Sequence, residues 1–159
     1  MLDRLIAGGV ALILAALHAR LAAAWHGATR EPATGDRRLF RLYLACTTLF
    51  LLAAPLAGPH GDYGAYQRFW ARVRDGADPW LGAPVNAYGP LFNAFAVLTP
   101  LSWLTPKVLF AFGYVLFVSW MTLGSTRERA VAWPLAIGLV MNPVVWIEQV
   151  FWGNFDVLA

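Results

Sequence analysis

Charged positions divide this chain into long apolar runs. Leu42–Pro59 holds 18 residues without a charge, Pro79–Pro106 holds 28, Val108–Thr126 holds 19 and Ala130–Ile147 holds 18. A fifth apolar run, Leu5–Ala19, is followed by Arg20 and then Leu21–Trp25. Apolar residues in these runs are continuous rather than alternating. A stretch of ~20 such residues crosses a bilayer as a helix. Lipid offers backbone groups no partner, so spanning segments must close their hydrogen bonds within a helix or a closed barrel. The pattern predicts an all-α, multi-pass transmembrane bundle of about 4–5 membrane helices. It forms a single membrane domain over 1–159. The first run also has the outline of a signal peptide, with small residues near Ala22–Ala24. Its basic start is thin, however, with Asp3 beside Arg4, and the reading preferred is an uncleaved helix.

Arg and Lys in short loops set orientation. His26–Arg41 carries Arg30, Arg37, Arg38 and Arg41 against Glu31 and Asp36, which predicts a cytoplasmic loop. A helix over Leu39–Leu56 then leads out, and Gly58–Pro84 is an extracytoplasmic loop. A span over Tyr88–Leu104 returns to a tight cytoplasmic turn at Thr105-Pro106-Lys107. The helix over Val108–Leu123 leads out again, which places Arg127 and Arg129 outside, against the rule. Pro134 and Pro143 interrupt the last run, and the pattern leaves open whether it spans or dips and returns.

Composition narrows the class. The 159 residues are 59% hydrophobic and 13% charged, with a mean hydropathy of +0.55. Soluble domains average ~45–50% apolar and ~25% charged. A disordered chain, a collagen-like fibre and a soluble globular enzyme are thereby excluded. The net charge of +3 comes from 11 Arg and one Lys, several of them flanking apolar runs. That placement fits membrane-protein loops rather than a nucleic-acid surface. The single cysteine, Cys46, permits no internal disulfide, and His18, His26 and His60 lack metal-ligand spacing. No phosphate-binding loop, dinucleotide fingerprint or nucleophile elbow is present, so no cofactor or metal is indicated.

Candidate chemistry gathers in Gly58–Pro84. Asp62 follows a membrane helix within a turn bearing Gly58, Gly61 and Gly64. A carboxylate there is either a general base, approachable because glycines present no side chain, or an ordinary helix N-cap. Tyr66, Phe69, Trp70 and Val73 recur on one helical face, with Arg68, Arg72 and Asp75 on another. That amphipathic helix suits the bilayer interface, where Arg68, Arg72 or Arg74 would lie near phosphates. Asp78-Pro79 marks a turn, and Asn86, Tyr88, Gly89 and Pro90 open the next helix. Near the C-terminus stand Asn142-Pro143, Glu148, Gln149, Gly153, Asn154 and Asp156. Glu148 and Asp156 are interfacial candidates beside Trp146, Phe151, Trp152 and Phe155.

The order of these features over Leu39–Ala159 resembles the N-terminal part of C-type-fold membrane glycosyltransferases. Bacterial polyprenol-phosphate-mannose-dependent mannosyltransferases are the most similar group. Gly61-Asp62-Tyr63, Tyr66 and Trp70 carry the likeness, followed by Gly76-Ala77-Asp78-Pro79-Trp80 and Tyr88-Gly89-Pro90-Leu91. Thr99-Pro100-Leu101, Asn142-Pro143 and Gly153-Asn154-Phe155-Asp156 complete it. The resemblance implies that Asp62 is the catalytic base. The implied reaction is inverting transfer of a sugar, mannose in that group, from a polyprenyl-phosphate donor. The acceptor is an extracytoplasmic glycolipid or polysaccharide, and the setting is the bacterial cell membrane. Tyr63, Arg68, Arg72, Asp78, Tyr88 and Asn154 are the candidate substrate-binding residues. Family enzymes have more spans, so the chain is expected to be an N-terminal fragment. The alternatives are a small transporter or channel subunit, or a non-catalytic membrane scaffold. A transporter would place its polar groups near mid-helix.

Overall fold

A computed structural model describes residues 1–27, 34–78, 81, 90–123 and 129–153. The elements are α1 (Leu2–Gly27), α2 (Thr34–Ala57), α3 (Tyr63–Arg74), α4 (Pro90–Ala94), α5 (Thr105–Leu123), α6 (Arg129–Val140) and α7 (Pro143–Val145). A 3-10 turn covers Phe95–Leu98, and a π-helix, Trp146–Trp152, follows α7. Among the described residues there is no strand. Among the described residues, four helical stretches are long and apolar enough to cross a membrane: Leu2–Trp25, Arg37–Ala57, Thr105–Thr122 and Val131–Trp152. The chain is an all-α, multi-pass membrane bundle.

The expected span over Tyr88–Leu104 does not form. Its described part is the five-residue α4, the 3-10 turn and a run of turns to Leu104. Pro100 brings no N–H to the carbonyl of Ala96, so a helix cannot continue through it. Thr99 serves that carbonyl instead, with its N–H at 3.3 Å and its hydroxyl at 2.8 Å. Losing one crossing reverses the direction of everything after it. α1 and α5 now start at the same end: Ser102 Oγ donates to the Asp3 carbonyl at 3.0 Å, and further along His18 meets Ser119. α2 runs the other way, as does the last span. Tyr43 and Phe40 near the start of α2 face Trp133, and Phe50 further along faces Trp146. Arg129 therefore shares an end with Arg37, Arg38 and Arg41, and the conflict over its side disappears. Lys107 moves to the opposite end, beside Asp62.

The last run continues through the break at Pro143, because side chains replace the donors that the break removes. Pro143 has no N–H for the Leu139 carbonyl, and Tyr114 donates its hydroxyl there at 3.0 Å. The Val144 N–H turns to Asn142 Oδ1, 2.9 Å away, which caps α7. That leaves the Val140 carbonyl, which accepts Trp146 Nε1 at 2.9 Å. Each broken backbone bond thus finds a partner inside the protein, as lipid requires.

A buried polar cluster joins three spans. Ser119 Oγ lies 2.6 Å from the Tyr43 hydroxyl, 2.9 Å from His18 Nε2 and 2.8 Å from the Val115 carbonyl. One proton assignment satisfies all three contacts. Ser119 donates to Val115 and accepts from Tyr43 and from a neutral Nε2–H imidazole. Thr47 Oγ1 sits 3.4 Å from the remaining nitrogen, His18 Nδ1.

Two predictions follow from this arrangement. In a Cys46→Ser background, Leu101→Cys and Ala77→Cys react with an impermeant thiol reagent from one side of the membrane. Arg38→Cys reacts only from the other; a five-span topology would separate Leu101 from Ala77. Ser119→Ala leaves the Tyr43 hydroxyl and His18 without their shared acceptor. It lowers stability by about 1–3 kcal/mol, read by reversible unfolding in mixed micelles.

Candidate active site

The Asp62 end is built from four chain segments that stop there. α2 ends at Ala57, α3 starts at Tyr63, α5 starts at Thr105 and the π-helix ends at Trp152. Between the first two lies the turn Gly58–Asp62. α3 winds tightly from it: Tyr63 N–H donates to the His60 carbonyl (3.2 Å) and Gly64 N–H to Gly61 (3.3 Å). Ala65 and Tyr66 N–H both donate to the Asp62 carbonyl, at 2.8 and 3.0 Å. Backbone carbonyls thus satisfy the donors that a capping side chain would otherwise take. Asp62 occupies the N-cap position, but it has helical dihedrals and its carboxylate makes no capping bond. Of the two roles the spacing allows, capping is not the one its side chain performs. The carboxylate is exposed.

Close packing fixes the turn. Gly61 has φ +55°, and a Cβ there would stand 3.2 Å from a ring carbon of Trp152. Gly153 has φ +67°, and a Cβ there would stand 2.9 Å from Tyr63 Cδ2 and 3.0 Å from Lys107 Cε. A left-handed backbone and a close approach coincide at both positions, which favours glycine there.

Lys107 is the residue that sequence reading missed. It was expected in a cytoplasmic turn; the structure buries it completely behind the Asp62 turn. Its Nζ donates to the Gly58 carbonyl at 2.5 Å and to the Phe151 carbonyl at 3.1 Å, and lies 5.7 Å from the centre of the Tyr63 ring. Both carbonyls belong to helix C-terminal ends, where the helix dipole is negative and a cation is favoured. The only hint in the sequence was that one Lys stands among 11 Arg.

Tyr63 is buried, and its hydroxyl is committed. It donates to the Trp103 carbonyl at 2.7 Å and accepts the Lys107 N–H at 3.1 Å. Burial pushes the hydroxyl well above its ordinary titration range. The Lys107 N–H pulls it back, and the Asp3 charge adds to the rise. Tyr63 therefore acts on the site through the shape of the turn.

The arginines of α3 divide by task. Arg72 donates to the carbonyls of Asp78 at 3.2 Å and of Leu81, which closes the turn after α3. Arg74 lies over the Trp103 ring at 5.3 Å and reaches Thr99 Oγ1 at 3.3 Å. Arg68 is exposed, with Nη1 4.0 Å from the Cβ position of Gly64. At the other end of the turn, Arg4 Nη2 lies 3.3 Å from the Cβ position of Gly58. Two exposed guanidinium groups therefore flank the segment that carries Asp62. Asp78 is exposed after α3, while Tyr88 and Asn154 lie outside the described residues.

The aromatic face of α3 is spent inside the protein rather than on a bilayer interface. Trp70 Nε1 donates to the Phe92 carbonyl at 2.9 Å, and its ring packs 5.2 Å from Phe92. Tyr66 meets Phe92 edge-on at 5.0 Å. These contacts seat α3 on α4 and hold it across the Asp62 end.

Against known proteins, the chain matches no family, no curated protein and no solved structure.

Lys107→Met keeps the bulk of the side chain but leaves two carbonyls without their donor. It costs about 2–5 kcal/mol, measured as a lowered unfolding midpoint in detergent, whereas Asp62→Asn leaves that midpoint unchanged.

Proposed function

We propose that this chain is an integral membrane glycosyltransferase, or the N-terminal part of one, with Asp62 as its general base. The observation that carries the reading is the Asp62 turn. An exposed carboxylate, unused as a cap, sits on a turn locked by packing and flanked by Arg4 and Arg68. A carboxylate on a turn with a cation near each end suits a reaction that deprotonates one group while releasing an anion.

The donor is a polyprenyl-phosphate-linked sugar, mannose by the resemblance. The acceptor hydroxyl approaches the anomeric carbon from the face opposite the phosphate. Asp62 takes the hydroxyl proton as the new carbon–oxygen bond forms. The bond from the anomeric carbon to the phosphate oxygen breaks, and the lipid phosphate leaves with its electron pair. Inversion follows from that geometry. Arg4 and Arg68 meet the departing charge, and guanidinium matches phosphate oxygens two at a time. A lipid-linked donor, held at the membrane by its own tail, calls for no nucleotide fold. The acceptor is an extracytoplasmic glycolipid or polysaccharide, and the Asp62 end faces away from the cytoplasm of a bacterial cell. With Arg37, Arg38, Arg41 and Arg129 at the opposite end, that orientation agrees with the distribution of charge.

One observation favours a transporter: the polar cluster of His18, Tyr43, Thr47 and Ser119 lies within the spans. Intramembrane polar groups often mark a transport path. These groups satisfy one another and are buried, so they read as a clip between helices.

Asp62→Asn, expressed from the natural gene and inserted normally, lowers sugar transfer from polyprenyl-phosphate mannose by about 10²–10⁴-fold. Radiolabelled transfer to membrane lipids provides the measure, and undiminished activity in the variant would sink the assignment.

A further inference from the structure

Two arginines lie inside the membrane spans on the outer surface of the bundle. Arg20 stands five residues before the end of the first span, and Arg41 four residues after the start of the second. Both are exposed. Arg4 Nη2 lies 3.3 Å from the Cβ position of Gly58, which sets the two helices level at the Asp62 end. Arg20 comes sixteen residues after Arg4 along α1, and Arg41 seventeen residues before Gly58 along α2. At the helical rise those separations are about 24 and 26 Å. The hydrocarbon layer is about 30 Å thick. The two residues therefore share a depth, roughly 5 Å below the surface of the leaflet farther from Asp62.

The protein does not neutralise them. Among the described residues, neither has a hydrogen bond or an ion pair. One turn from Arg20, the exposed neighbours are Ala16, Leu17, Ala23 and Ala24, which offer no carboxylate. One turn before Arg41 stand exposed Arg37 and Arg38, whose charges repel it. The stretch Arg20–Arg41 holds five arginines against Glu31 and Asp36, and that +3 equals the formal charge of the whole chain. A charged group facing hydrocarbon needs an anion or a route to water. Arg41 has the route, because Cα–Cβ bonds tilt toward a helix N-terminus and α2 begins at this end. α1 ends here, so the same tilt aims Arg20 at the bilayer centre. Its stem must double back, and a phosphate oxygen at the headgroup level is an acceptor within its reach.

We propose that Arg20 and Arg41 bind the phosphates of anionic phospholipid in the leaflet farther from Asp62. Guanidinium matches phosphate oxygens two at a time. A phosphatidylglycerol headgroup carries net negative charge and no cation. A phosphatidylcholine headgroup brings an ammonium toward the arginines, which repel it. Lipid bound to the folded chain stabilises it by mass action. The site is independent of Asp62 and of sugar transfer.

The test follows tail-labelled phosphatidylglycerol and phosphatidylcholine by fluorescence anisotropy as they bind the full chain in dodecyl maltoside micelles. The anionic lipid is expected to bind about 30-fold tighter, the gain from two basic residues beside an anionic headgroup. Arg20→Gln and Arg41→Gln each take away about fivefold, and the double variant binds the two lipids equally. Both side chains are exposed, so the variants keep their circular dichroism and their unfolding midpoint in phosphatidylcholine. Arg4→Gln and Arg68→Gln at the Asp62 end leave the preference unchanged, and inorganic phosphate displaces neither lipid. Equal binding of the two lipids by the unaltered chain would overturn the proposal. So would a preference that survives the double variant, whether it then falls with Arg4→Gln and Arg68→Gln or with added salt. Displacement of phosphatidylglycerol by inorganic phosphate would mark a site for free anions and overturn the lipid assignment. Self-association that Arg20→Gln abolishes, without any lipid preference, would give the arginine to a carboxylate of a second chain and overturn it as well.

Discussion

One ammonium group holds the Asp62 end together. Lys107 is fully buried, and the groups its Nζ meets are carbonyls from two helix ends and the face of a tyrosine. A buried cation is costly unless oxygen atoms surround it. Here the cost is met by carbonyls that are themselves short of donors, because helices stop at that point. Each side of the contact needs the other. The turn before α3 and the end of the π-helix are thereby tied to the start of α5, and the position of Asp62 is set from three directions.

The same logic runs through the membrane interior. At Pro143 and Pro100, where the chain frees carbonyls, side-chain donors occupy them: Tyr114 at Leu139, Trp146 at Val140, Thr99 at Ala96. Aromatic residues at these places are hydrogen-bonding parts as well as bulk. The π-helix follows the break at Pro143, and its last turn carries Phe151 and Trp152 to the Asp62 turn.

Helix number and class were legible because charge-free length is a local property. About 4–5 spans were expected and four are present among the described residues, with ends close to those read from Arg and Pro positions. The span over Tyr88–Leu104 failed because hydropathy does not register hydrogen-bond supply. Pro79–Pro106 carries no charge, yet Pro90 and Pro100 bracket a piece too short to cross. That one miscount carried Lys107 and Arg129 to the wrong ends. Asp62 stood out at once as a carboxylate in a glycine turn. Lys107 did not, since its partners lie 49 and 44 residues away and no spacing along the chain announces them. Asp3 meets the Trp103 N–H across 100 residues, unannounced for the same reason.

The cluster around Ser119 also constrains the order in which the protein can mature. His18 and Thr47 are 29 residues apart and can meet as soon as the first two spans form a hairpin. Ser119 is made 76 residues after Tyr43 and 101 after His18. Until α5 enters the bilayer, the hairpin carries a tyrosine hydroxyl and an imidazole nitrogen awaiting their acceptor. A nascent chain stalled between the second and third spans is thus a polar-faced intermediate.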